Sequence, residues 1–195
     1  SQLSYIVLGG ALATTAGVMG GGMHIAMHAM GKITLFFCAG AILIASHKTK
    51  ISEMDGIGRV MPFTMVAFGL GAMSIIGLPP MGGTWSKWYL ALGAAEGHYL
   101  VFVGVLMLSS LLSAGYLIPL VGRAFLFAPN REGSGKDPSE LAIDAGPGEE
   151  PGFLSNIREA PLLCLVPLCA TALGCLALFF LAPQIYDLLR TMDLG

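Results

Sequence analysis

Charge is what this sequence has least of. Asp, Glu, Lys and Arg supply 11% of its 195 residues, against roughly a quarter in an ordinary soluble domain. With 55% hydrophobic residues and a mean hydropathy of +0.76, the chain needs lipid rather than water as its solvent. A net charge of −2 excludes the basic balance of a nucleic-acid binder, so no nucleic acid is expected as a partner. Cysteine is scarce as well. Cys38, Cys164, Cys169 and Cys175 lie in apolar stretches at spacings that match neither a CxxC pair nor a zinc ligand set, and they read as core thiols. No basic leader precedes the first apolar run, so no signal peptide is expected and the chain is expected to begin inside a longer protein. The most telling absence is acid within the apolar stretches. Glu96 falls at an edge and Asp187 lies beyond the last stretch, so a cation inside one of them has no counter-charge from the spans of this chain.

What is present is a series of long apolar runs. Crossing a hydrocarbon core of about 30 Å takes about 20 mostly apolar residues, and about five spans fit: 3–19, 23–46, 62–95, 99–127 and 161–181. The expected fold class is an all-α polytopic membrane protein. Gly9, Ala13 and Gly17 recur at every fourth position, the small-residue spacing that lets helices approach closely in lipid. Gly20, Gly21 and Gly22 are expected to break the helix between the first two spans. Pro62 stands where proline opens a helix, and Pro119 is expected to kink the fourth span.

The third span does not run through cleanly. Gly77, Pro79, Pro80, Gly82 and Gly83 interrupt it, and the two prolines remove amide donors. Broken helices at membrane depth are tolerated where they are buried in protein or line a cavity, so this segment marks a site. Residues 128–160 are rich in Gly, Pro, Ser and acids and read as a flexible loop. Residues 1–127 then form the helices of a half-channel, and 161–195 a final helix with a short amphipathic tail. Lys48, Lys50, Arg59, Arg131, Lys136 and Arg158 fall on loops of one face, with Arg123 near it, whereas Arg190 is alone on the other. The positive-inside rule places loops 47–60 and 128–160 in the cytoplasm and the carboxyl end outside the cell membrane.

One constellation carries chemistry. His24, His28 and Lys32 stand at i, i+4 and i+8, so successive side chains rise about 6 Å and drift about 40° around one helical face. Lys87 follows the Pro-Pro break, flanked by Ser86, Trp85 and Trp88, and antiparallel packing would bring it near this ladder. Ionisable groups in lipid cost from about 2.5 to above 10 kcal/mol, so their presence is a sign of function. An amine kept from water also gives up its proton more readily. Lys32 and Lys87, linked by His28 and His24, are therefore expected to form a proton path. His47 and His98 read as interfacial. Two other readings compete. Lone apolar-segment histidines often serve as hydrogen-bonded packing residues, which would make the chain a non-conducting scaffold, a truncated copy. Alternatively His24 and His28 form an HxxxH zinc pair of an intramembrane enzyme. Against that reading, the pair has no adjacent Glu base and no evident third ligand, so no metal is expected.

These stretches resemble the antiporter-like membrane subunits shared by respiratory complex I, related hydrogenases and Mrp-type cation/proton antiporters. The resemblance rests on Ser1-Gln2-Leu3-Ser4-Tyr5, on the run from His24 to Phe37, on Gly56 to Pro62, and most specifically on Gly77 to Leu90. It implies a fourteen-helix fold with two inverted five-helix repeats, of which this chain is similar to the second half. It implies that Lys32 is a central relay and that Lys87 passes protons toward the outer exit. The stretch from Ser86 to Leu90 resembles the D subunit of Mrp-type antiporters most. The implied partners are other membrane subunits of an antiporter or complex I-like assembly, protons, sodium as a candidate, and the lipid bilayer. The implied role is a transporter subunit, at most the proton-pumping part of an NADH:quinone oxidoreductase, with no cofactor or redox site in this chain. The family's first half-channel, with its own glutamate and lysine, is missing from the sequence.

Overall fold

A computed structural model describes residues 2–46, 51, 54–126 and 159–193. Seven helices account for nearly all of them: α1 (Gln2–Ala11), α2 (Thr15–Ser46), α3 (Pro62–Ile76), α4 (Gly83–Glu96), α5 (Leu100–Leu126), α6 (Leu162–Phe180) and α7 (Ala182–Asp193). A 3-10 turn, Ile57–Arg59, precedes α3. By length and apolarity α2, α5 and α6 can each cross a membrane. The expected 128–160 loop lies almost wholly outside the described residues.

The first helix boundary is not where the glycines suggest. Gly20, Gly21 and Gly22 sit inside α2, which is unbroken over 32 residues. In lipid a helix interruption leaves amides with no water to bond, and that cost outweighs glycine's weak helix propensity. The interruption comes earlier, at residues 12–14, where Thr14 Oγ1 accepts the N–H of Gly17 at 3.2 Å and donates to Gly93 O at 3.2 Å. A hydroxyl at the cap position, bonding the third amide of the helix, defines the start of α2. The glycines serve packing instead. A Cβ on Gly20 would stand 2.6 Å from the backbone nitrogen of Leu90, so α2 and α4 touch there backbone to backbone.

Helix α2 is the hub, packed on α1, α3, α4, α6 and α7. One core gathers Cys38, Ile42, Met61, Met65, Phe68 and Leu168, and a smaller one joins Met23, Met27 and Ala182 beneath Trp85 and Tyr89. All four cysteines are free thiols, Cys38 and Cys175 buried, Cys164 and Cys169 partly so. The outer surface is apolar: Leu3, Val7, Phe36, Val101, Leu111 and Leu163 are exposed, as suits contact with acyl chains. α5 runs unbroken through Pro119, and α6 through Pro167.

Two carboxylates tie the connectors to the bundle. Asp55 accepts two bonds from the Arg123 guanidinium, at 2.8 and 3.0 Å, joining the α2–α3 connector to the end of α5. Glu159, just before α6, accepts the N–H of Phe63 at 2.8 Å and the hydroxyl of Thr64 at 2.7 Å. It thereby supplies, from another part of the chain, the negative cap that the Pro62 start of α3 lacks locally.

The expected break is present between α3 and α4. α3 ends on Gly77 in the left-handed region (φ 86°), with the N–H of Gly77 and of Leu78 both donating to Met73 O, a glycine-terminated helix end. Five residues, 78–82, separate Gly77 from the start of α4 at Gly83. The last carbonyls of α3 cannot find helical partners, and their fate shapes the site.

Candidate functional site

The carbonyls left free by the break are taken by Lys87. One turn into α4, its Nζ donates to Ile75 O at 2.9 Å, Ile76 O at 2.8 Å and Ser110 Oγ of α5 at 3.1 Å. An ammonium has three donors, and here each has an acceptor. All three acceptors are neutral, so no formal counter-charge balances the amine: among the described residues no carboxylate forms an ion pair with Lys87. The same Nζ lies 5.3 Å from the centre of the Tyr5 ring, within cation–π range.

Tyr5 is also where the ladder begins. Its ring meets His24 edge to face at 5.3 Å between centroids, so Lys87 and His24 lie against one aromatic ring. His24 is 2% exposed. Its Nδ1 lies 2.9 Å from Ser86 Oγ, its Nε2 3.2 Å from Gln2 Oε1. A neutral imidazole offers one N–H and one lone pair, and with both nitrogens engaged neither is free for a metal. Among the described residues, moreover, no three His, Cys, Asp or Glu side chains cluster to hold one. Ser86 in turn donates to Gly83 O at 3.1 Å, so a single hydroxyl stands between the ladder and the first turn of α4.

From His24 the path continues along α2. The His24 and His28 rings stack 5.8 Å apart and 5° from parallel. His28 is half-buried and shares with Lys32 an open cavity of about 290 Å³ lined also by Gln2, Leu3, Ile75 and Tyr116. At about 30 Å³ per molecule in the liquid, that space has room for several waters. Lys32 itself is not inside the bundle. It is exposed on the surface of this chain, its Nζ 5.6 Å from the Phe36 ring. The reason is the drift of the ladder: two steps of four residues turn the side chain about 80° away from His24, and off the face that α1 and α4 cover.

The structure thus brings Lys87, His24 and His28 into one connected group and leaves Lys32 at its outer edge. His98 is exposed at the turn before α5, and His47 lies outside the described residues. Gln2, Tyr5, Ser86 and Ser110 complete the site, and none was assigned a role from sequence. Ser86 adjoins Lys87, and Gln2 is an amide on an apolar helix, a signal of the same kind as an intramembrane lysine. Tyr5 and Ser110 look like ordinary lipid-phase residues, and only their placement reveals them.

Comparison with known proteins supplies the context. Residues 1–113 match the family described as NADH:quinone oxidoreductase/Mrp antiporter, transmembrane. The chain is 37% identical over 185 residues to the N subunit of the NADH-quinone oxidoreductase of Desulforudis audaxviator, covering 95% of this chain and 35% of that one. It is 30% identical over 125 residues to the D subunit of the Na(+)/H(+) antiporter of Alkalihalophilus pseudofirmus, covering 64% and 25%. Among solved structures it superposes on a chain of the Mrp complex from Dietzia sp. DQ12-45-1b with a TM-score of 0.79 at 24% identity, covering 96% of this chain and 39% of the other. For a chain of respiratory complex I from Thermus thermophilus the TM-score is 0.57 at 20% identity, covering 95% and 43%. The chain therefore spans about a third of the length of the curated relatives it matches.

Proposed function

Because the chain belongs to the NADH:quinone oxidoreductase/Mrp antiporter transmembrane family, we propose that it carries protons through one half-channel of an antiporter-like membrane subunit. Lys87 is the amine that releases protons toward the outer exit, Lys32 is the relay at the inner end of the ladder, and His24 and His28 join them. The observation that carries this reading is the junction at Tyr5, Ser86 and His24. It puts the ladder of α2 in hydrogen-bond contact with the residue next to Lys87. Three features suit such a relay. Lys87 is anchored on neutral acceptors that do not fix its charge state. His24 can exchange which nitrogen bears its proton, because Ser86 and Gln2 both carry groups able to give or to take. The His28–Lys32 cavity has room for water.

The partners in this reading are other membrane subunits of a multisubunit assembly, with protons as the cargo and sodium as the candidate exchanged ion. The chain lies in the cell membrane with loops 47–60 and 128–160 in the cytoplasm and its carboxyl end outside; protease access to the 128–160 loop from the cytoplasmic side alone is the expected result. No redox step is assigned to these residues.

The test is Lys87→Ala in the whole assembly, measured as proton-coupled transport in membrane vesicles. Transport is expected to fall to background while the assembly still forms, and transport at the wild-type rate would reject the role. A second reading, a scaffold without conduction, is favoured by the full satisfaction of Lys87 and His24 in hydrogen bonds, which is also what a structural pin requires. Lys87→Ala leaves the carbonyls of Ile75 and Ile76 unpaired at about 1–3 kcal/mol each under either reading. Lys87→Gln, which keeps a donor for them but does not titrate, therefore separates the two: the proton-path reading expects transport to stay lost, the scaffold reading expects it to return with assembly.

A further inference from the structure

Next to the break, between α4 and α5, lies a cavity of about 640 Å³ that shares only Lys87 with the proton path. Its walls are apolar over most of their extent, from Trp88 and Leu92 of α4 to Val103, Met107 and Leu111 of α5. Its polar side chains are three, Thr84, Lys87 and Ser110, and they are neighbours. Ser110 Oγ is 3.1 Å from Lys87 Nζ, and Thr84 lies one turn before Lys87 on the same face of α4. The Thr84 hydroxyl oxygen is buried and has no hydrogen-bond partner among the described residues. The site therefore offers an amine that no carboxylate of the described residues balances, beside a serine hydroxyl, at the head of a greasy trough. Its volume falls within the range of about 300–1,000 Å³ typical of pockets for small amphiphiles.

We propose that this cavity binds a free fatty acid from the bilayer, its carboxyl group beside Lys87 and Ser110 and its tail along Trp88, Met107 and Leu111. Charge complementarity selects the head. Once the proton has passed to Lys87, the carboxylate supplies the negative charge that no described residue gives to it. Depth selects a fatty acid over a phospholipid. At 1.5 Å per residue, α3 from Pro62 to Ile76 rises about 22 Å, and Lys87 is bonded to its last two carbonyls, well inside a hydrocarbon core of about 30 Å. A phosphodiester head stays ionised and is held at the interface, whereas a carboxylic acid enters hydrocarbon neutral. On arrival its proton passes to the Lys87 amine, and the neutral pair becomes a carboxylate–ammonium pair with no proton gained or lost. The site uses the amine of the proton path but does not require that Lys87 conducts.

The experiment is photolabelling of the assembled protein in its native membrane with a palmitate analogue carrying a diazirine near the end of its chain, beside the matching alcohol. The acid is expected to label peptides containing Trp88, Met107 or Leu111, and unlabelled palmitate to compete. The alcohol is expected to label about tenfold less, the loss of one charged hydrogen bond. Ala95→Trp, an exposed rim residue enlarged to fill the mouth, is expected to abolish labelling while transport persists. Equal labelling by acid and alcohol would overturn the proposal, because the cavity would then be apolar space without head recognition. So would the absence of labelling in the assembled protein, which would mean that another subunit covers the cavity. Labelling is read without transport, so normal transport in Lys87→Ala would remove the proton path and leave this result untouched.

Discussion

At the scale of single residues the site is governed by which polar atoms lipid leaves without water. An amine in hydrocarbon is tolerated when every donor finds an oxygen, and Lys87 finds two of its three in carbonyls that the break itself exposes. The proline pair and the lysine are thus one device: the break frees acceptors, and the amine one turn into α4 occupies them. Ser86 has a different task. Its hydroxyl lies between His24 Nδ1 and Gly83 O, so it can take a proton from or give one to that nitrogen while forming no bond to Lys87. Ser86→Ala is expected to destabilise the fold by about 1–3 kcal/mol, the cost of leaving the buried His24 Nδ1 without its partner, and to slow proton transport severalfold. Ser86→Thr keeps the hydroxyl and is expected to restore the rate. Melting temperature in detergent and transport in vesicles separate the two effects. Equal rates for Ser86→Ala and wild type would show that the hydroxyl is only structural.

At the scale of helices, close packing decides which glycines matter. Gly20 stands where a methyl group would meet the backbone of Leu90 at 2.6 Å, and backbone cannot move aside as a flexible side chain can. Gly20→Ala is therefore expected to cost about 1–3 kcal/mol, the range for overpacking, and to part α2 from α4 at the level of His24. Gly10, near the end of α1, has nothing within 4 Å of such a methyl, and Gly10→Ala is expected to be neutral or slightly stabilising. Thermal melting of the two variants checks the contrast; similar losses in both would mean that helix propensity rather than packing sets the penalty. The same pair shows what the sequence could and could not disclose. The break at 77–83 was legible because two prolines beside glycines forbid a continuous helix in any environment. The triplet at 20–22 misled because glycine breaks helices in water, where freed amides are solvated, and not where a neighbouring helix fills the space. Thr14, the residue that caps α2, falls inside the expected 3–19 span and was not marked there; its bond to Gly93 depends on α4 passing by, and no local pattern records that.

At the scale of the whole molecule, the ladder was readable as three titratable residues in apolar surroundings, but its openness was not. Periodicity places His24, His28 and Lys32 on one side of a helix; it does not say where the protein around that side ends. The bundle ends between His28 and Lys32, and the ammonium of Lys32 emerges on an outer surface otherwise made of Ile33, Phe36 and Phe37. Lipid cannot be its resting environment, because an uncompensated charge there costs at least about 2.5 kcal/mol, and the Phe36 ring offsets only about 0.5–2 of that. Protein packed over this face would remove that cost; the chain spans about a third of the length of the curated relatives it matches. Lys32→Cys makes the point measurable. In the isolated chain in detergent it is expected to react readily with a membrane-permeant maleimide, and in the assembled membrane protein to react at least about tenfold more slowly, in step with the loss of solvent around a thiol that must ionise to react. Equal reactivity in both would leave Lys32 facing lipid, where an amine has no proton donor or acceptor in reach, and the ladder would end at His28.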